Sequence, residues 1–303
     1  MRRIDFVTLK LFVAIADERS LTRAAEREHL ALAAVSKRVS DLESQLGIAL
    51  LYRQPKGVEL TPAGHALLHH ARHMMDNLEQ LNADLSEFSQ GVKGHVRIHA
   101  NTSAVIEFLP EDLAAFARLH PQVKIDLEER VSSETIRAVR EGLTDIGIFA
   151  GHVPTEELQV FGYRHDQLVL VTPRDHPLAG RSSIALREAV GYDFIGLQQD
   201  ASLHGLLQHS AHHLGAALRL RIQVRSFEAI CRMIHTGMGI GVLPENAVRT
   251  YLPALDVRII PLEDAWARRE LKVGVRNLEA LSLTARQMLE HLIASEQREA
   301  EPS

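Results

Sequence analysis

The 303-residue sequence has a single cysteine, Cys231, which excludes an intrachain disulfide framework and fits a reducing compartment. Long apolar runs are also missing. After Met1-Arg2-Arg3-Ile4-Asp5 no uninterrupted apolar core forms before Lys10 and Asp17, so the reading has no export signal, no membrane span and a cytoplasmic chain. No internal repeat or low-complexity segment occurs apart from a polar tail after Ala294, which reads as disordered. No nucleophile–base pair stands at a recognisable spacing, and no metal or phosphate motif is present, so catalytic residues, metal and cofactor are expected to be none. Gly237, Gly239 and Gly241 begin like a dinucleotide loop, but Val242 occupies the third glycine position. They read as a tight turn from helix to strand, ended by Pro244. The net charge is only −5, with 46% hydrophobic and 24% charged residues, ordinary values for a chain long enough for two or three domains.

What is present is concentrated near the start. Ser20 reads as the N-cap of a helix over 21–28, in which Ala24 and Ala25 leave room for a second helix to cross closely. The next helix, over about 33–46, places Val35, Val39, Leu42 and Leu46 on one stripe. Its other face carries Ala33, Lys37 and Ser40, flanked by Ser36 and Arg38. This small, polar and basic surface suits a major groove about 12 Å wide, although a surface helix of a three-helix bundle has the same pattern. Phe6, Leu9, Phe12, Val13 and Ala16 mark a preceding helix, and the segment from Leu50 to Leu60 reads as a hairpin wing with Arg53 and Lys56 near its tip. Residues 1–60 hold ten Lys/Arg against eight Asp/Glu, a net of +2, whereas the rest of the chain is at −7. So small an excess implies that two heads act together, because phosphate contacts supply most non-specific affinity.

A means of pairing follows. Thr61 caps a helix whose first position is Pro62. Leu67, Ala71, Met74, Leu78, Leu81, Leu85 and Phe88 then alternate spacings of four and three. That is a coiled-coil seam, or the buried face of a helix lying on its own domain. His65, His69 and His73 fall on the outer face and read as solvated, as do His209, His212 and His213. Cys231, within the apolar stripe of Ile230 and Ile234, reads as buried and inert.

Phe12-Val13-Ala14, Ser20-Leu21-Thr22 with Ala24-Ala25, Ala34-Val35-Ser36, Leu42-Glu43, Leu46-Gly47 and Leu60-Thr61-Pro62-Ala63-Gly64 resemble the LysR-type transcriptional regulators. The likeness runs from about residue 4 to residue 293. It implies a winged helix-turn-helix over 1–61, a dimerising linker helix over 62–90 and an effector-binding half over 91–303. The implied fold is α/β, with two Rossmann-like subdomains of the periplasmic-binding-protein kind. Subdomain I would span about 94–162 and 266–303, and subdomain II about 163–265, with crossings near Gly162 and Ala265. Thr22, Ala33, Ala34, Ser36, Lys37, Arg38, Arg53 and Lys56 are the expected DNA contacts. Expected partners are operator DNA, a second copy or a tetramer of this chain, a small-molecule effector and RNA polymerase. One departure matters. Ala31-Leu32 stand where the family usually has Ser/Thr-Gln, so a base contact from that glutamine is absent.

From Gln90-Gly91-Val92-Lys93-Gly94, read as a hinge, the pattern alternates strand and helix. Strands are expected at 96–100, 123–127, 145–149, 167–172, 193–197 and 271–276, with helices around Leu109–Leu119, 133–140, 204–214 and 284–293. The segments 222–224, 227–235 and 240–243 continue the pattern. Open α/β sheets bind ligands beyond the carboxyl ends of their strands, and clefts between subdomains are favoured. Asn101, Thr102, Ser103, Ser132, Ser133, Phe149 and Gly151 are therefore the candidates on one side, and Leu197, Ser202 and Phe227 on the other. Thr102-Ser103 and Ser132-Ser133 are read as preceding helix N-termini, which points to a carboxylate-bearing metabolite; capping without a ligand would use the same residues. A solute-binding protein or a cleft enzyme on the same two-subdomain fold is the competing class.

Overall fold

The computed structural model describes residues 4–54, 57–90, 94–155 and 157–300, with backbone alone at 53, 73, 76, 77, 79, 80, 82–90 and 295–300. Lys56 and the Gly91–Lys93 part of the expected hinge lie outside the described residues, as do the side chains of Arg53, His73, Leu85 and Phe88. The chain forms two compact units, Met1–Ser86 and Glu87–Ser303.

The first unit is built from α1 (Phe6–Glu18), α2 (Leu21–Arg27), α3 (Leu32–Leu46), β1 (Leu51–Gln54), β2 (Gly57–Leu60) and the start of α4 (Pro62–Gln90). Its helix starts follow local rules. Asp5 caps α1, its Oδ1 accepting from the Thr8 amide at 2.9 Å. Ser20 caps α2 by accepting from the Arg23 amide, and Thr61 Oγ1 accepts from the Gly64 amide at 3.0 Å. Between α2 and α3, His29 takes a left-handed φ of 54° and Ala24 and Ala25 are buried, so the two helices cross closely. α3 ends at Gly47, and the Glu43 carboxylate on its last turn accepts the amides of Leu50 at 2.8 Å and Leu51 at 3.1 Å. That carboxylate ties the helix to the wing. Gly57 has φ +142°, and a Cβ there would lie 2.5 Å from the Arg19 carbonyl, to which the Val58 amide donates. A side chain at 57 would push the wing off α1.

The core of this unit is Leu11, Phe12, Ile15, Val35, Val39, Leu42 and Leu50. Two details of the α1 reading change. Phe6 is exposed, whereas Leu11 and Ile15, outside the expected stripe, are fully buried. α1 is covered on more than one side, because α2, α3 and the wing all contact it.

In the second unit, β3 (His95–Ala100), β4 (Lys124–Glu129) and β5 (Ile146–Ala150) are parallel, with α5 (Thr102–Glu107), α6 (Leu109–Leu119) and α7 (Ser132–Glu141) between them. The long β6 (Gln159–Pro173) follows, then α8 (Leu186–Ala189), β7 (Asp193–Leu197), α9 (Ser202–His213), β8 (Arg219–Val224), α10 (Phe227–His235), β9 (Gly241–Pro244), α11 (Glu245–Arg249) and β10 (Val257–Pro261). A short 3-10 turn at Ala265–Ala267 leads into β11 (Arg268–Val275), and α12 (Leu283–Ala300) ends the described chain.

Strand β6 belongs to two sheets. Gln159 to Gln167 pair with β11, and Leu168 to Pro173 with β10 and β9. Each part has its own core, one around Val96, Ile98, Phe116, Tyr163 and Leu292, the other around Leu170, Phe194, Phe227 and Ile234. The exchange of partners thus falls between Gln167 and Leu168, five residues beyond Gly162, and the return runs through Ala265–Ala267. The turn of glycines is as read: Gly237 closes α10 at φ +77°, and a Cβ at Gly239 would lie 2.5 Å from the Asp193 carbonyl.

Three expectations are corrected. Residues 159–166, 257–261 and 245–249 were given no element and form part of β6, β10 and α11. The helix expected to start at Thr102-Ser103 is a separate short one, α5, which meets α6, the expected Leu109–Leu119 helix, at Phe108. The last helix continues past Ala294 to Ala300, where a disordered tail was expected.

Candidate functional site

The outer face of α3 exposes Ala33, Ala34, Lys37, Arg38 and Ser40, with Ser36 half-buried beside them and Thr22 exposed on α2. Most cations around it are already engaged. Lys10 pairs with Glu28 at 2.8 Å, Arg72 with Asp17 at 2.6 Å, and Arg27 with Asp17 and Glu18 at 3.5 Å. Surface pairs of this kind add little stability, but they decide which charges are left for a partner. Arg38 is tied back to α1, donating to Thr8 Oγ1 at 3.1 Å and facing Asp5 at 3.5 Å. The Thr8 hydrogen bonds, with a smaller contribution from Arg38, hold the Asp5 carboxyl below its ordinary value. Among the described residues, Lys37 has no acidic side chain within ion-pair distance.

The apolar stripe of α4 divides in two. Leu67 and Ala71 pack with Leu9, Val13, Leu68 and Met75 of the same unit. Met74, Leu78 and Leu81 are left 55%, 37% and 50% exposed. His65 and His69 are exposed, and among the described residues no cluster of three metal-donating side chains occurs.

In the second unit a cleft is lined by Asn101, Thr102, Ser103, Val131 and Ser132 on one side. Leu197, Ala201, Ser202, Leu203 and Phe227 line the other. Its water-accessible volume is about 20 Å³, room for about one water. Helices α7 and α9 start here with Val131 and Ala201 as caps that make no side-chain hydrogen bond, so their first amides carry no capping partner. Ser132 Oγ joins the two sides. It accepts from the Ala150 amide at 3.2 Å and from Asn101 Nδ2 at 3.5 Å, and donates to Ser202 Oγ at 3.4 Å.

Several expected residues differ in detail. Asn101, not Thr102 or Ser103, caps α5, its Oδ1 accepting from the Ala104 amide at 3.0 Å. Thr102 donates to Glu129 at 2.6 Å, and Ser103 accepts from Arg269 at 3.2 Å. Ser133, Phe149 and Gly151 do not line the cleft. Ser133 points to solvent on the outer side of α7. Phe149 is fully buried because Gly274 leaves a hole for its ring: a Cβ on Gly274 would lie 2.8 Å from Phe149 Cζ. The Gly151 amide donates to the Glu270 carbonyl at 2.8 Å and extends the ladder instead.

The sequence reading missed the ionic floor behind Ser103. Arg269 on β11 and Asp166 on β6 are register partners, both buried, with Nε to Oδ1 at 2.8 Å. The Glu107 carboxyl oxygens nearby are buried without a hydrogen-bond partner. Burial first, then the Asp166 charge, push this carboxyl up to about 8 against the opposing pull of Arg269. Glu107 is therefore protonated at neutral pH. Burial, helped by Arg269, also lowers the His152 imidazole, against a hydrogen bond to the Ser202 backbone that raises it. The one sequence signal for this floor was a lone acid inside the apolar stretch Ala104 to Leu109.

Residues 6–65 match the family described as bacterial regulatory helix-turn-helix protein, lysR family, and residues 89–297 match the LysR substrate binding domain. The chain belongs to the LysR family. It is a LysR-type transcriptional regulator with an effector-binding domain, not an enzyme. It is 28% identical over 263 residues to the HTH-type transcriptional regulator CysL of Bacillus subtilis, covering 87% of this chain and 88% of the relative. Over 273 residues it is 28% identical to a probable RuBisCO transcriptional regulator of Trieres chinensis, covering 88% of each. Among solved structures, the LysR regulator CbnR superposes with a TM-score of 0.77 at 18% identity, over 97% of this chain and 99% of that one. The same LysR fold is found in CbnR complexed with its target DNA, with TM-score 0.77 at 18% identity over 97% and 99%. The effector-binding domain of QuiR in complex with shikimate superposes with TM-score 0.62 at 16% identity, over 68% of this chain and 99% of that domain. Among the described residues, no helix is long and apolar enough to cross a membrane.

Proposed function

We propose that this LysR-type regulator acts in the cytoplasm, where it binds operator DNA as a dimer or tetramer and is switched by a small carboxylate-bearing effector held between its subdomains. The observation that carries the effector reading is the meeting of α7 and α9 across Ser132 and Ser202. Two uncapped helix starts aim partial positive charge and unsatisfied amides at one small polar space, the arrangement that favours an anion. Asn101, Ser103 and Phe227 complete the lining. At 20 Å³ the cleft is narrower than a metabolite, so binding selects a more open arrangement of the subdomains. Differential affinity of ligand for the two arrangements is the energy available for switching.

On the DNA side, α3 enters the major groove. Ser36, Lys37 and Arg38 position the helix, with Arg38 braced by Asp5 and Thr8, and Ala33 or Ala34 packs against a thymine methyl. The wing cations Arg53 and Lys56 take phosphates or the adjoining minor groove, and the apolar face of α4 from Met74 onward joins two copies. RNA polymerase is the further partner. Thermal-shift screening of the full chain against small organic acids, beside amines and sugars, tests the effector class. Stabilisation by acids alone supports it, and stabilisation confined to the other classes refutes it.

A further inference from the structure

The head of the reading helix is unusual in what it offers a base. From Leu30 to Ala34 five consecutive apolar residues are exposed, with Leu30 at 38% and Leu32 at 46%. Runs of this length are avoided on free surfaces unless a partner covers them. Ala31 caps α3 with no side-chain hydrogen bond, and the first turn, Leu32-Ala33-Ala34, holds no donor or acceptor on any side chain. No side chain of this turn can therefore read a base edge by hydrogen bonding. Yet the first turn of a helix-turn-helix reading helix is the part that meets the groove floor. The run is continuous with the exposed face that carries Lys37 and Ser40, so the same duplex covers both.

The major groove has one apolar group on its base edges, the C5-methyl of thymine. Leu32 is the only long side chain of that first turn, and the flanking alanines keep the helix end slim enough for a close approach. We propose that Leu32 sets operator specificity by packing on a thymine methyl in each half-site, an apolar readout where no polar one is available. This rests on the DNA-binding reading above and adds a specificity-determining residue to it.

The test uses the full-length protein and a duplex selected from a random pool by its own binding. Each thymine is replaced in turn by deoxyuracil, which removes the methyl and leaves pairing intact. At one thymine per half-site the replacement penalty, about fourfold and the equivalent of one buried methyl group, is expected to depend on Leu32. Leu32→Ala should abolish that penalty at that position and at no other, and Leu32→Met, which restores a long apolar side chain, should retain it. Circular dichroism of both variants checks that α3 is kept. A selected duplex that binds tightly but shows no deoxyuracil penalty, or the same penalty with Leu32→Ala, overturns the methyl readout and leaves DNA binding intact. Recovery of no duplex at all from the pool overturns both.

Discussion

Arg269 and Asp166 face each other at one register position of β11 and β6, and the guanidinium that Asp166 anchors reaches on to Ser103 in the cleft wall. A buried ion pair of this kind is weak support for stability, but here it stands between a ligand site and the strands that join two subdomains. Glu107 is its third member and bears the cost of the arrangement. Its carboxyl, near 4.5 in an unfolded chain, is pushed up to about 8, so the fold binds the extra proton between those values. Stability contributed by that proton is present below pH 4.5 and is lost as pH rises towards 8. Glu107→Gln should therefore raise the melting temperature on the order of 10 °C at pH 8.5 and much less at pH 5. Scanning calorimetry at the two pH values decides it, and equal shifts would show that Glu107 ionises normally.

Lys37 and Arg38 should behave differently although they are neighbours. Lys37→Ala should weaken binding to a selected duplex several-fold and lower the slope of log affinity against log salt by about one. Arg38→Ala also loses the tie to Asp5 and Thr8, so it should lower melting by a few degrees as well. Fluorescence anisotropy across salt concentrations reads the first effect, and an unchanged slope with Lys37→Ala would remove α3 from the phosphate backbone.

Charging the exposed stripe of α4 tests its use. Leu78→Glu with Leu81→Glu should convert the assembly to monomers in sedimentation velocity. The first unit should remain folded, because Leu67 and Ala71 are the members packed on Leu9 and Val13. Persistence of the native assembly would assign pairing to another surface.

Across the cleft, Ser202→Ala deletes one long hydrogen bond and should leave the unliganded melting point within about 2 °C. It should reduce the thermal shift produced by organic acids. Ser132→Ala additionally strands the buried Ala150 amide and should cost about 1–3 kcal/mol. Undiminished acid-induced shifts in both variants would place the effector elsewhere.

Cys231 is fully buried, and burial pushes its thiol up to about 11. It should stay silent to a disulfide reagent at pH 8 in the native protein and react fully in denaturant. Rapid native labelling would contradict its packing in the core of the second subdomain.

The elements that the sequence made legible are those governed by neighbours in the chain. Ser20 and Thr61-Pro62 mark helix starts by local hydrogen bonding, and β7 falls over 193–197 as expected because the apolar run Phe194–Leu197 has strand length. Tertiary partners hid the rest. No element is expected over 159–166, yet Tyr163, Arg164 and Asp166 are buried within β6, where Asp112 accepts from both Tyr163 Oη and Arg164, and Arg269 donates to Asp166. Phe149 lies at a strand end, where ligand contacts are expected, but Gly274, distant in sequence, provides the space that withdraws it. Asn101, Thr102, Ser103, Ser132, Leu197, Ser202 and Phe227 line one cleft, while its charged floor depends on pairings that only the sheet register creates.

The double membership of β6 has a mechanical consequence. Its ladder passes from β11 to β9 and β10 between Gln167 and Leu168, so torsion at that joint breaks no rung of either sheet. The other connection, at Ala265–Ala267, is a single 3-10 turn. Any opening of the cleft would therefore turn about one low-stiffness axis, with each half of the effector domain moving as an undeformed block.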